Sequence, residues 1–360
     1  MKLALTVGLS ATALVLTTGP AIAAASDWHE TPTGVDALLP YSISAGGGAL
    51  WTVGAIDTRD DFQPVAARWV NGKWQTTPQP AGHGRLSDVA VRTADDAWAV
   101  GARWAPGELW SQLLVQHWNG KAWKQVPGPT LAREGGSEFY TVATQGGQVW
   151  AAGSAPGPTE GSSDGIVYRY DGKRWMGVND AISAASLFIY DIAPLSRTDV
   201  WIAAENGIKH YDGQGWKDAA LPGGPSPAVH LRGLAAVSPS DIWAVGHRED
   251  PVLRRRPLVY HFNGKVWSEV PTPADSGELW SVNLVKGQPV AVGESPHGPY
   301  LLRMTGTGFV RQPDPAGAGL LFSSTVTGGR LWIAGKAADN NAAYVGFSRL
   351  GVPAALATGR

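Results

Sequence analysis

Three groups of residues in this 360-residue chain carry side chains suited to ligand contact or catalysis. The first is aromatic: Trp104 and Trp110 in the segment ARWAPGELWSQ, and Trp280, each able to lay a ring on a sugar or another flat apolar surface. The second is cationic: Arg254, Arg255 and Arg256 adjoin in REDPVLRRRP, a run that can grip a sulfated or phosphorylated partner. The third is acid–base. Asp88 and Asp191 occupy matching places in two similar segments, while His230, His247 and His297 fall in later loops of one face that could bring them together. Two such carboxylates could hold a cation, or with His230 form the acid–base set of a hydrolase or lyase. Asp60, Asp61, Glu108, Glu160, Asp164 and Glu294 add carboxylates whose separations decide whether any pair could cleave a glycoside.

Composition removes several chemistries. With no cysteine there is no disulfide, thiolate metal site, thiol nucleophile or lipidated cysteine. No HExxH helix, phosphate-binding glycine loop or dinucleotide fingerprint occurs. A net charge of −1 supplies no basic field for a phosphate backbone, which excludes nucleic acid as a partner. No catalytic residue is assigned, and neither a cofactor nor a metal is called for. A binding role is favoured over an enzyme.

Lys2 is the only charge before Asp27; the apolar run Leu3 to Leu16 follows it, and AIAAAS then offers cleavage after Ala23 or Ala25. A cationic start, an apolar stretch and small residues at the cut read as a secretory signal peptide over residues 1–25. The apolar run is too short for a membrane span. The protein is expected to be secreted and extracellular, with residues 26–350 as its folded domain and 351–360 as a C-terminal tail.

That domain is a repeat. A tetrapeptide of the WAVG type begins at Trp51, Trp98, Trp150, Trp201, Trp243, Val290 and Trp332, at spacings of 47, 52, 51, 42, 47 and 42 residues. A basic residue, a large apolar residue and usually a glycine turn follow each copy, as in Arg68-WVNG, His117-WNG, Arg169-YDG, His210-YDG and His261-FNG. Next comes W-x-x-x-P, at Trp74, Trp123 and Trp267. Each unit therefore reads as four short strands, with tight hairpins at NG or DG whose central residues both take positive φ. Seven such units predict an all-β, seven-bladed β-propeller of four-stranded antiparallel blades. The seventh unit lacks a fourth strand, and Trp28-HETP repeats the Trp-to-Pro step, so about residues 27–31 should complete blade seven and close the ring.

Recurrence marks most of the tryptophans as packing between blades. Two further patterns follow the repeat. The basic residue is His in blades two, four and five, and the residue two before the WAVG tryptophan is Asp in those same blades. Asp96–His117, Asp199–His210 and Asp241–His261 are thus expected to be structural hydrogen-bonded pairs between strands. At one position of the inner strands stand Tyr41, Ser87, Tyr140, Tyr190, Arg232, Trp280 and Phe322. This mostly aromatic set is expected to pack between blades, with Trp280 also a ligand candidate.

The order L-x-x-V, then D-x-W-A-V, then [RH]-[WYF]-[ND]-G, then W-x-x-V-P resembles the tectonin-type propeller repeat, best in blade five from Leu231 through Asp241-IWAVG and His261-FNG to Trp267-SEVP. Proteins of that type are often lectins or surface-recognition proteins, so the resemblance implies binding. Blade four, Trp201-IAAENGIKHYDG, looks more like the propellers of bacterial sensor ectodomains. The expected ligand is a glycan or cell-surface ligand, or a protein. Loops linking second and third strands share one face with the blade-to-blade connections, and Trp104, Trp110, Trp280 and Arg254–Arg256 are the residues expected to make contact there.

Overall fold

The computed structural model describes residues 27–349, except 59–60, 106, 179–181, 183–186, 225, 340–341 and the side chains of Thr58 and Asp61. The signal peptide read at 1–25 and the tail 351–360 lie outside the described residues. Seven antiparallel sheets of four strands make up the fold, and every regular element among the described residues is a strand. The inner strand of each blade is the first in sequence: Leu38–Gly46, His83–Thr93, Glu138–Gln145, Ile189–Ser196, Val229–Ser238, Glu278–Val285 and Ala318–Thr327. The chain is a seven-bladed β-propeller.

The ring closes through the N-terminus. His29–Glu30 is the outer strand of blade seven, with His29 opposite Phe347 and Glu30 opposite Gly346. The strand is shorter than the five residues expected, but Thr31 extends its grip. Its amide and hydroxyl donate to the Val345 carbonyl at 2.7 and 2.9 Å, and its hydroxyl accepts the Trp74 indole N–H of blade one at 3.0 Å. One residue thus joins last blade to first. Deleting residues 26–32 exposes a strand edge and orphans Trp74, a loss of about 3–5 kcal/mol. The expected result is a melting temperature roughly 10 °C lower; unchanged melting would show that closure contributes little.

Blades are bonded face to face by aromatic side chains. Trp51 is fully buried and meets the edges of Trp118 and Trp123 of the next blade at centroid distances of 5.0 and 5.2 Å. On the outer strands, indole N–H groups reach back one blade: Trp123 to Thr77 Oγ1, Trp175 to the Pro127 carbonyl, Trp216 to the Val178 carbonyl. The tryptophan pattern is therefore a set of interblade contacts, each ring burying area and placing its one donor.

The three Asp–His pairs are present at 3.1, 2.8 and 2.9 Å. The directly opposed residue is instead the WAVG tryptophan, Trp98 against His117, so the aspartate reaches the histidine diagonally. Each imidazole stacks on that indole at 4.4, 4.0 and 4.0 Å, and the same Asp Oδ1 accepts both the imidazole and the indole N–H. Where arginine replaces histidine in blades one and three, its guanidinium lies over the corresponding tryptophan.

The hairpins correct one expectation. Of the Asn-Gly and Asp-Gly turns that follow the basic residue, only Asn71-Gly72 places both residues at positive φ, 51° and 80°. In the turns at Asn119, Asp171, Asp212 and Asn263, glycine alone takes positive φ. The Asn or Asp side chain there accepts the amides two and three residues on, as Asn119 Oδ1 does from Lys121 and Ala122. The side chain does the turn-closing that a left-handed first residue would otherwise do.

Candidate functional site

Every inner strand breaks register at one shared level, and four of them at a second place besides. The shared shifts fall between Pro40 and Ser42, Leu86 and Asp88, Phe139 and Thr141, Ile189 and Asp191, Leu231 and Gly233, Leu279 and Ser281, and Leu321 and Ser323. The extra residue in each case belongs to the mostly aromatic set: Tyr41, Ser87, Tyr140, Tyr190, Arg232, Trp280 and Phe322. A β-bulge bends its strand and re-aims the extra side chain. Seven at one level make a ring, and all seven residues line a cavity of about 390 Å³ at the funnel mouth. Packing between blades, the role expected of this set, is therefore accompanied by a shared opening. Neighbouring rings do touch, with Tyr140 and Tyr190 at 5.8 Å and Tyr41 and Phe322 at 6.2 Å, yet all remain half-buried around one opening.

The WAVG glycine makes room for the bulge. A Cβ on Gly54, Gly101, Gly153, Gly246, Gly293 or Gly335 would stand 1.8–2.0 Å from an inner-strand carbonyl oxygen. None of these glycines has positive φ, so space and not conformation demands them. Blade four carries Ala204 at this place.

Two arginines enter the cavity, each held by a buried glutamate of the next blade. Arg85 makes a two-pronged pair with Glu138, which also accepts the Ser87 hydroxyl at 2.6 Å. Arg232 donates from Nε to Glu278 at 3.0 Å and lies between two rings, 3.9 Å from Tyr190 and 5.0 Å from Trp280. Glu278, 1% exposed, also lies 3.0 Å from His247 Nδ1 and takes Arg255 at 2.5 Å. Burial alone would raise the Glu278 carboxyl, but His247, Arg232 and Arg255 together hold it below the usual carboxylate range. Burial pushes the phenols of Tyr41, Tyr140 and Tyr190 up, so they stay neutral hydroxyls.

Asp88 and Asp191 form the waist below this ring, where they staple three blades apiece. Asp88 accepts Ser42 Oγ, the Val89 amide and the Val142 amide at 2.7–2.8 Å. Asp191 accepts the Ile192 and Leu234 amides at 2.7 Å and Thr141 Oγ1 at 3.2 Å. Burial pushes both carboxyls up, Asp191 to about 7, with the Asp88 charge adding to it. Among the described residues no three His, Asp or Glu side chains are grouped to hold a metal ion. A folded-state pKa above the unfolded value means that Asp191 stabilises the fold fully in acid and that this contribution is lost as pH rises through about 7. Infrared difference spectra between about pH 5.5 and 8.5 are expected to show a protonated carboxyl that vanishes in Asp191→Asn; its absence in the parent would mean an ionised waist throughout.

The other candidates divide. Trp280 belongs to the ring. Trp104 sits at its rim, stacked on Phe62 at 6.2 Å and 6.0 Å from the Arg85 guanidinium. Trp110 is 62% exposed beside Leu109 at 88%, on the loop that leads away from Trp104. Arg255 is drawn into the Glu278 cluster and also meets Glu294 at 3.3 Å, whereas Arg254 and Arg256 are exposed at the start of the strand. His230 does not join Asp88 and Asp191 in the cavity. It stacks on His247 at 4.7 Å, with Glu249 and Glu205 at 3.5 and 3.9 Å, while His297 is exposed in a separate blade-six turn. The segment Gly161-Ser-Ser-Asp-Gly165 has the spacing of a serine nucleophile elbow, but Ser163 is the first residue of a strand paired with Pro156. Sequence reasoning missed Arg85, Glu138 and Glu278. The signal available was their separation, 53 residues for Arg85–Glu138 and 46 for Arg232–Glu278, which is one repeat.

No protein-family model and no curated protein matches the chain. Solved structures do. YCF48 bound to D1 peptide aligns with a TM-score of 0.59 at 13% identity, over 89% of this chain and 97% of that one. The extracellular domain of the one-component system BT4673 from B. thetaiotaomicron aligns at 0.62 and 12% identity, over 91% of this chain and 40% of that one. The GH74 xyloglucanase from Xanthomonas campestris aligns at 0.63 and 12% identity, over 91% of this chain and 54% of that one. At these identities the likeness is one of fold: a scaffold shared by proteins with different tasks.

Proposed function

We propose that this protein is a secreted binding protein that takes a carbohydrate ligand at the funnel mouth, with the Trp104–Trp110 loop as an outer contact. One observation carries the reading. Seven bulges at a single level set five aromatic rings, Ser87 and Arg232 around a cavity sized for a small ligand, and Arg85 enters it beside them. Aromatic faces beside hydroxyl and guanidinium donors suit a sugar, whose rings are apolar on the face and polar at the edge. A hydrolase is disfavoured because the cavity's carboxylates are already occupied by the amides, hydroxyls and guanidinium described above. Export rests on the signal-peptide reading of residues 1–25.

The test is binding of residues 26–360 to an array of glycans and bacterial-wall polysaccharides. A hit is expected, and Trp104→Ala/Trp110→Ala should weaken it at least tenfold while shifting the melting temperature by only a few degrees. A large stability loss would return both rings to packing. Silence across the array would favour the second reading, a protein partner seated on Leu109 and Trp110, whose exposure supports it.

A further inference from the structure

We propose that the funnel mouth selects an acidic glycan, one whose sugar units carry carboxylate or sulfate groups, and that Arg85 and Arg232 read those groups. The inference deepens the carbohydrate reading and rests on it. Its basis is which hydrogen-bonding capacity remains unspent. Every carboxylate oxygen around the cavity already accepts a donor. Both oxygens of Asp88 and of Asp191 take amides, and both of Glu138 take Arg85. Glu278 gives one oxygen to Arg232, beside His247, and the other to Arg255. The arginines are not spent. A guanidinium has five N–H groups in a fixed fork. Arg85 gives Nε and Nη2 to Glu138, and Arg232 gives Nε to Glu278 and reaches the Tyr190 hydroxyl, so of five N–H groups each keeps some for a ligand. The mouth therefore offers donors and few free acceptors, the complement of a ligand rich in anionic oxygen.

Placement supports the same conclusion. Blades two and five, which supply Arg85 and Arg232, are three apart, the widest separation in a seven-membered ring. Anionic groups on successive sugars could then engage opposite walls while the rings lie on aromatic faces. The glutamates fix both forks in place before a ligand arrives, which lowers the ordering cost of binding. They also balance the arginines' charge, in keeping with a chain of net charge −1 that shows no long-range basic field.

The experiment compares matched polymers by calorimetry on residues 26–360: polygalacturonate against its methyl ester, and dextran sulfate against dextran. Arginine modification by phenylglyoxal, mapped by mass spectrometry with and without polymer, locates the contact on the unmutated protein. At least tenfold tighter binding to one or both charged polymers is expected, with protection of Arg85, the more open of the two arginines. The two charged arms show whether carboxylate or sulfate is preferred. Equal binding to charged and neutral partners would overturn the acidic class and leave the carbohydrate reading standing. Charge preference with protection only at Arg254 and Arg256 would overturn the placement at the funnel. No binding to any of the four polymers would overturn this inference, and a silent glycan array beside it would remove the carbohydrate reading as well.

Discussion

Glu278→Gln is expected to cost about 3–5 kcal/mol of folding stability and, in whatever protein still folds, to abolish the carbohydrate binding proposed above. Three cationic or donor groups converge on this one carboxylate: Arg232, His247 and Arg255. Glutamine keeps the shape but removes the charge and turns one acceptor into a donor that must face an N–H group. Arg232 then lies 14% exposed without a counter-charge, between two aromatic rings, where its desolvation is uncompensated. Arg255→Ala is the contrasting variant. Its side chain is 51% exposed, so no buried cation is stranded, but its loss leaves one oxygen of the buried Glu278 unpaired, and the cost should be smaller, about 1–3 kcal/mol. The acid limb follows with a definite sign. A carboxyl held below its ordinary pKa contributes stability that is present above that value and lost as pH falls through the lower folded-state value. The parent should therefore lose stability more steeply below about pH 4.5 than Glu278→Gln does. Chemical denaturation at two pH values checks both statements; equal denaturation midpoints for parent and variant would take Glu278 out of the fold's support.

The residues that build the ring were legible because each recurs once per blade. WAVG, the basic residue before the turn, and Trp-to-Pro each serve interblade packing or a hairpin; the first two show seven copies of the same demand, allowing for Val290, and the third shows four. The Asp–His pairs were legible for a related reason: the two residue types change together in blades two, four and five. Their diagonal geometry was not, since register depends on how the tryptophan between them stacks. The site was half visible. Tyr41, Tyr140, Tyr190, Trp280 and Phe322 stood out as one aromatic position, but alternation along a strand cannot reveal an extra residue that turns them toward the axis. Arg85 and Glu138 gave no local pattern at all, because their pairing exists only between adjacent blades. Arg254–Arg256 drew notice as a run, whereas the structure uses only Arg255 toward the cluster behind the cavity and leaves its neighbours in solvent.

Gly101→Ala should damage fold and site together. A Cβ at residue 101 would stand 2.0 Å from the Arg85 carbonyl oxygen and 3.0 Å from the Ser87 amide nitrogen, both backbone atoms. Neither can swing aside as a flexible side chain would, so the inner strand must move outward or straighten its bulge. Either movement draws Arg85 away from Glu138 and rotates Ser87 out of the ring. Overpacking of this kind, with a buried ion pair strained in addition, should cost about 3–5 kcal/mol, roughly 10 °C in melting temperature. Ala204→Gly in blade four is the matched control, since that blade already accommodates a methyl group at the equivalent place. Its cost should be limited to the added backbone freedom of glycine, about 0.5–1 kcal/mol. Thermal melts of both variants decide the matter. A mild Gly101→Ala alongside an equally mild Ala204→Gly would mean that the bulges yield easily and that the aromatic ring is not held at one level by the glycine of the repeat.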